Sequence, residues 1–185
     1  MIEVRKLGLD GVLEIRVRRF EDDRGFLSET YNARDFEKAG IGVQFVQDNH
    51  SVSPSRGVLR GLHYQLDPFA QDKLIRVARG SVFDVAVDIR RGSPTFGRWT
   101  GIELSAKVGN QMYVPAGFAH GFVTLEENTE VIYKVSALYS REHERAIRFD
   151  DPDIGIDWTV PLTEVRLSEK DRVALRLIDG EVFGE

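Results

Sequence analysis

The chain has 185 residues, a formal net charge of −5, 42% hydrophobic residues and no cysteine. That length suits a single domain over residues 1–185 around one core, and the acidic balance argues against nonspecific nucleic-acid binding while leaving room for a locally basic pocket. Without thiols, disulfides, thiolate metal sites and a cysteine nucleophile are excluded.

At the N-terminus, Glu3, Arg5, Lys6 and Asp10 interrupt the apolar residues, and no later stretch approaches membrane-spanning length. The sequence therefore predicts a soluble, cytoplasmic protein with no membrane partner. Leu13-Glu14-Ile15-Arg16-Val17-Arg18 alternates apolar with charged residues, the period of a half-buried strand, and the turn Asp22-Asp23-Arg24-Gly25 follows it. Asn32 is placed to cap a short helix through Phe36 that stops at Gly40. From Val43 onward, short strands alternate with turns at 44–49, 58–65, 74–78, 82–89, 99–104, 111–114, 121–125 and 131–135. This rhythm reads as a mainly β protein, an antiparallel sandwich or barrel.

Within Ser81 to Ile89, the residues Phe83, Val85, Val87 and Ile89 share one face, and Asp84 and Asp88 share the other with Val82 and Ala86. Spacing alone turns those two carboxylates toward solvent rather than toward a polar cavity. Asp150 to Trp158 is acidic and turn-rich, and Ser168-Glu169-Lys170-Asp171 opens a helix expected to run toward Gly180.

Two stretches answer each other: Gly57-Val58-Leu59-Arg60-Gly61-Leu62-His63 and, later, Gly109 through Pro115-Ala116-Gly117-Phe118-Ala119-His120. The second resembles the second cupin motif, and the first resembles the front half of the first. A metal cupin continues with His-any-His and then a glutamate, whereas His63-Tyr64-Gln65 carries an amide at the second ligand position and no glutamate follows at that spacing. The resemblance implies a cupin-type jelly-roll barrel of antiparallel strands with a few short helices, lacking the metal site and leaving His63 free for acid–base work. Strict alternation sends Arg60 and His63 to opposite faces, so both line one pocket only if Gly61 marks a bulge or kink.

Six segments, Ser51 to His63, Gly80 to Arg90, Pro115 to Phe122, Tyr133-Lys134, Asp150 to Trp158 and Ser168 to Asp171, resemble the dTDP-4-dehydrorhamnose 3,5-epimerase family in order and spacing, over roughly residues 10 to 172. The resemblance implies a homodimeric isomerase that needs no metal or organic cofactor. Its substrate is a dTDP-4-keto-6-deoxy sugar, with C3 and C5 hydrogens acidified by the C4 ketone. By similarity, His63 is the base, Asp171 orients and charges its ring, Tyr133 delivers a proton from the opposite face and Lys73 sits near the enolate oxygen. Arg24 and Arg60 match anion-binding positions, suited to phosphate as bidentate donors. Phe20, Glu29, Gln47, Asn49, His120 and Glu144 match nucleotide and sugar contacts, Lys170 neighbours the dyad aspartate, and Tyr139 is placed to stack on thymine. Family residues matching Phe20, Arg24 and Glu29 come from the neighbouring subunit.

The residues taken alone read more plainly. Asp171, three after Ser168, suits a helix cap. Tyr133 shares a face with Val131 and Val135, as a core tyrosine does. Lys73 passes for a loop lysine, Arg24 and Glu29 for a solvated turn and strand, and Glu144, His50 and His143 for surface groups. Four alternatives stay open: inversion at only one carbon, a related dTDP-sugar ketoisomerase, and, outside this chemistry, a metal-dependent cupin oxygenase or a noncatalytic sugar-nucleotide binder.

Overall fold

The structure is a computed structural model and describes residues 2–184. Its strands are β1 (Ile2–Lys6), β2 (Leu13–Val17), β3 (Arg19–Asp22), β4 (Gly25–Ser28), β5 (Gln47–Ser53), β6 (Leu59–Gln65), β7 (Lys73–Arg79), β8 (Ser81–Asp88), β9 (Trp99–Ser105), β10 (Asn110–Val114), β11 (Phe118–Thr124), β12 (Thr129–Val135) and β13 (Glu144–Ala146). Two short helices, α1 (Ala33–Lys38) and α2 (Glu169–Arg172), join them. One sheet runs β1-β2-β10-β7-β12-β5, the other β13-β6-β11-β8-β9, and β3-β4 forms a hairpin outside both. Side chains of both sheets interdigitate between them, Ile75, Val77, Met112 and Val131 from the first against Val82, Ala86, Leu104 and Phe122 from the second. This is the antiparallel sandwich that the strand rhythm predicts, in the jelly-roll form that the cupin resemblance implies.

Local chemistry explains α1. Asn32 is extended at φ −143°, its side chain accepts the Asp35 N–H, and Gly40 leaves the helix at φ +87°. Phe36, 1% exposed, docks the helix on Ile15, Leu74 and Tyr113, a burial contributing about 1.5–3 kcal/mol.

Three expectations are corrected. The helix opening at Ser168 ends at Arg172 instead of running toward Gly180; beyond it the chain bridges to the barrel at Ile147↔Leu175, and the Leu177 N–H donates to Asp151 Oδ2 at 2.6 Å. Tertiary pairing thus overrides helix propensity there. The strand expected at 44–49 runs instead from Gln47 to Ser53, because its polar sequence is held by pairing to β12 through Ser53↔Thr129. Asp84 and Asp88 do not face solvent: both are fully buried, because strands lie on either side of β8 and both of its faces are covered. Burial works to raise the Asp88 pKa, but hydrogen bonds from Arg90, Ser93 and Thr95 prevail and hold it at about 2.

Gly61 resolves the alternation problem. The ladder pairs His120 with His63 and then Phe122 with Arg60, an irregularity of one residue between β11 and β6. Gly61 lies at φ +136°, and a Cβ there would stand 2.5 Å from Gly121 Cα. Gly61→Ala is therefore expected to cost about 3 kcal/mol of stability, read as a Tm several degrees lower; an unchanged Tm would mean that the kink tolerates a side chain. No helix among the described residues is long and apolar enough to cross a membrane.

Candidate active site

A cavity of about 530 Å³ opens between the sheets, with β6 and β11 on one side and β5, β7 and β12 on the other. The kink at Gly61 lets Arg60 and His63 both reach it. His63 stands on β6 with Nε2 2.5 Å from Asp171 Oδ1. A carboxylate only accepts, so Nε2 carries the proton and Nδ1 keeps its lone pair. Burial lowers the His63 pKa, with Lys170 and Lys73 acting in the same direction and Asp171 opposing them. The ring is thus a neutral imidazole able to take a proton.

Asp171 turns out to serve the helix and the histidine together. Its N–H donates to Ser168 Oγ at 3.2 Å, the cap, while Ser168 Oγ donates to its Oδ2 at 2.8 Å and Oδ1 faces His63. Burial presses its pKa upward, but hydrogen bonds from His63 and Ser168 prevail and lower it. The carboxylate therefore stays ionised behind the ring.

Lys73 is not a loop lysine: it begins β7, paired to Val114 and Val135. Its neighbour Asp72 is pinned by the Tyr113 hydroxyl at 2.6 Å and the Ser136 hydroxyl at 3.0 Å, which fixes where the strand starts. Lys73 Nζ donates to the His63 carbonyl at 3.0 Å, and burial brings its pKa down to about 8, with Asp84 and Glu144 resisting. Tyr133, on β12, rests against core residues below while lining the cavity above, so the core reading is half of its position. Burial raises its pKa, which keeps the phenol protonated.

His120, 7% exposed, lies directly across the ladder from His63 and meets Asp84 Oδ1 through Nε2 at 2.7 Å. Glu144 is not a free surface charge: it accepts from Lys170 Nζ at 2.5 Å and from the Tyr139 hydroxyl at 3.1 Å. Tyr139, 55% exposed, forms the rim, tied by its N–H to Gln47, whose amide in turn donates to Asn49. Arg60 reaches Val52 O and Ser53 Oγ only at 3.4 and 3.5 Å, leaving its other donors for an anion. Sequence reasoning missed Arg166, which also lines the cavity, brought there by a bridge to Val58 from an irregular segment with no periodic signal.

Three expected site residues stay away from the cavity in the single chain. Phe20 is 52% exposed on the hairpin, Arg24 pairs with Asp22 in the turn, and Glu29 accepts from Asn32. His50 is a surface residue near Glu130, as expected, but His143 is partly buried against Phe69 and bonded to Ser140. Gln65, at the second cupin ligand position, spends its amide on Phe69 O, Leu138 O and Ser140 N–H. Among the described residues no three His, Cys, Asp or Glu side chains gather as a metal site.

A family model described as dTDP-4-dehydrorhamnose 3,5-epimerase matches residues 6–179. The chain is 53% identical over 184 residues to the dTDP-4-dehydrorhamnose 3,5-epimerase of Pseudomonas aeruginosa, covering 98% of this chain and 99% of that one. The structure of dTDP-6-deoxy-D-glucose-3,5-epimerase from Legionella pneumophila in complex with dTDP-4-keto-L-rhamnose is similar at a TM-score of 0.93 and 43% identity, covering 98% of this chain and 95% of that one. The Bacillus anthracis dTDP-4-dehydrorhamnose 3,5-epimerase with TDP and PPi bound is similar at 0.92 and 43%, covering 95% and 99%.

Proposed function

The chain belongs to the dTDP-4-dehydrorhamnose 3,5-epimerase family, and from that premise we propose how its cavity converts dTDP-4-dehydro-6-deoxy-D-glucose to dTDP-4-dehydro-L-rhamnose in dTDP-L-rhamnose biosynthesis. The observation that carries the reading is His63 on one sheet, backed by Asp171 from α2, with Tyr133 and Lys73 on the sheet opposite, around one cavity. Inverting a carbon beside a ketone takes a base on one face of the ring, an acid on the other and a positive group at the oxygen. His63 Nδ1 removes the proton and Asp171 stabilises the imidazolium that forms. The electron pair moves to the C4 oxygen, near the Lys73 ammonium, and the Tyr133 hydroxyl returns a proton from the other face. The ketone supplies the acidity, so the steps require no redox partner.

Residues 1–185 act as one domain in this reading, in the cytoplasm with its soluble nucleotide-sugar substrate. Arg60 and Lys170 meet the diphosphate, Tyr139 stacks on thymine, and Gln47, Asn49, His120 and Glu144 hold nucleotide and sugar. Phe20, Arg24 and Glu29 complete the site from a second subunit. Supporting the homodimer, the hairpin that carries Phe20 and Arg24 lies outside both sheets with Phe20, Phe26 and Leu27 exposed. Diluting the protein to monomer is expected to weaken dTDP binding by about tenfold or more, since charge-assisted bonds to phosphate are lost; equal affinity in a demonstrated monomer, by ultracentrifugation and calorimetry, rejects the shared site.

Incubation with dTDP-4-keto-6-deoxyglucose in deuterium oxide tests the function directly. Label at both C3 and C5 is expected; label at one carbon only makes this a single-carbon epimerase, and no label removes the proton-transfer mechanism.

A further inference from the structure

Asp84 and Asp88 lie on the same face of β8, four residues apart, and both are fully buried, yet their surroundings differ. Asp88 has both oxygens satisfied by Arg90, Ser93 and Thr95, and so ties the strand to the following loop. Asp84 has only Oδ1 bonded, to His120 Nε2 at 2.7 Å, and its Oδ2 has no hydrogen-bond partner among the described residues. A buried carboxylate oxygen left unmet is costly, and an apolar side chain of similar size would serve the fold better. The fold therefore accounts for Asp88 and does not account for Asp84. What Asp84 does touch is a side chain of the cavity wall.

We propose that Asp84 is a positioning residue of the epimerisation, holding the His120 ring from behind the cavity wall in the Nε2-protonated form and acting electrostatically on Lys73. This rests on the epimerase reading of the cavity and extends it to a second His–Asp pair. The two histidines face each other across β6 and β11, each backed by its own carboxylate from a different element, Asp171 from α2 and Asp84 from β8. With Nε2–H committed to Asp84, only Nδ1 of His120 remains for the sugar, so one ring orientation is presented to every substrate. The second consequence falls on Lys73, which interacts electrostatically with Asp84 from β8, Glu144 from β13 and Lys170 from α2. Burial, the largest effect, and Lys170 lower its pKa to about 8, while Asp84 and, less strongly, Glu144 oppose that lowering. Because the ammonium is the form that stabilises an enolate, activity is lost as pH rises through that value. Removing the charge of Asp84 moves the loss to lower pH.

Two measurements test this. In Asp84→Asn, kcat is expected to fall on the order of tenfold with KM changing less, and the alkaline limb of the kcat profile is expected to shift toward lower pH; a purely structural role would lower Tm and leave the limb where it is. An unmoved limb, or kcat within threefold of wild type, overturns the proposal. Should the variant fail to fold, ¹⁵N spectra of histidine-labelled wild-type protein decide independently: a protonated Nε2 on His120, hydrogen-bonded to a carboxylate, is expected, and a bare Nε2 overturns it. The spectra do not depend on turnover, so a failure of the epimerase reading, seen as no deuterium incorporation by wild-type protein, is told apart from a failure of this one.

Discussion

His63→Ala is expected to abolish hydrogen exchange at both C3 and C5, lowering turnover by about 10³ or more, while dTDP binding changes only a few-fold. A positioned base contributes about 10²–10⁴, and here the base is both poised and backed. Its Nδ1 is unprotonated because Nε2–H is committed to Asp171, and burial keeps the ring neutral. The groups proposed to hold the nucleotide, Arg60, Lys170 and Tyr139, are separate side chains with their own partners, so nucleotide affinity survives the loss of the imidazole. The measurements are deuterium incorporation followed by NMR and dTDP titration by calorimetry. Exchange persisting near the wild-type rate would assign the base elsewhere.

Asp171→Asn is expected to lower the rate on the order of 10² or more with little change in Tm. The neutral amide can donate to Nε2, which places the ring proton on Nδ1 and removes the lone pair that the reaction uses; it also withdraws the charge that stabilises the imidazolium. In a serine-protease triad the same exchange costs about 10⁴ in turnover. The helix loses little, because its cap is the Ser168 hydroxyl accepting the residue 171 N–H, a main-chain donor that the substitution keeps. The stability cost should stay within about 1 kcal/mol. Activity within threefold of wild type would make Asp171 a helix residue alone. There is a pH corollary. The folded-state pKa of Asp171 is depressed, so its contribution to stability is complete above the unfolded value of 3.8 and is lost as pH falls through the folded value. Asp171→Asn should therefore flatten the acid side of the stability profile.

Period and turn chemistry made most of the barrel legible: eight strands from Val43 onward appear within a few residues of where alternation puts them, and Asn32 and Gly40 bound α1. Edge elements were not legible. In β1 only Ile2 is even partly buried, so its side chains carry no buried face, and β13 is three residues long. Such strands exist because β2 and β6 offer them ladder bonds, and pairing leaves little trace in the paired sequence.

For the site, sequence alone determined the inventory and one necessary condition. The glycine-to-histidine runs name His63 and His120, Gln65 in place of a histidine removes a metal ligand, and placing Arg60 beside His63 demands a break at Gly61. Which groups meet was decided only by the tertiary structure. Asp171 reaches His63 from 108 residues away and Asp84 reaches His120 from 36 away; Lys73 becomes a buried wall residue because Asp72 is pinned by two hydroxyls. Alternation reports which side of its own strand a residue faces, never what stands opposite. A carboxylate on β8 therefore reads as solvated until the neighbouring strands and both core clusters close over it, and only then does it acquire a partner.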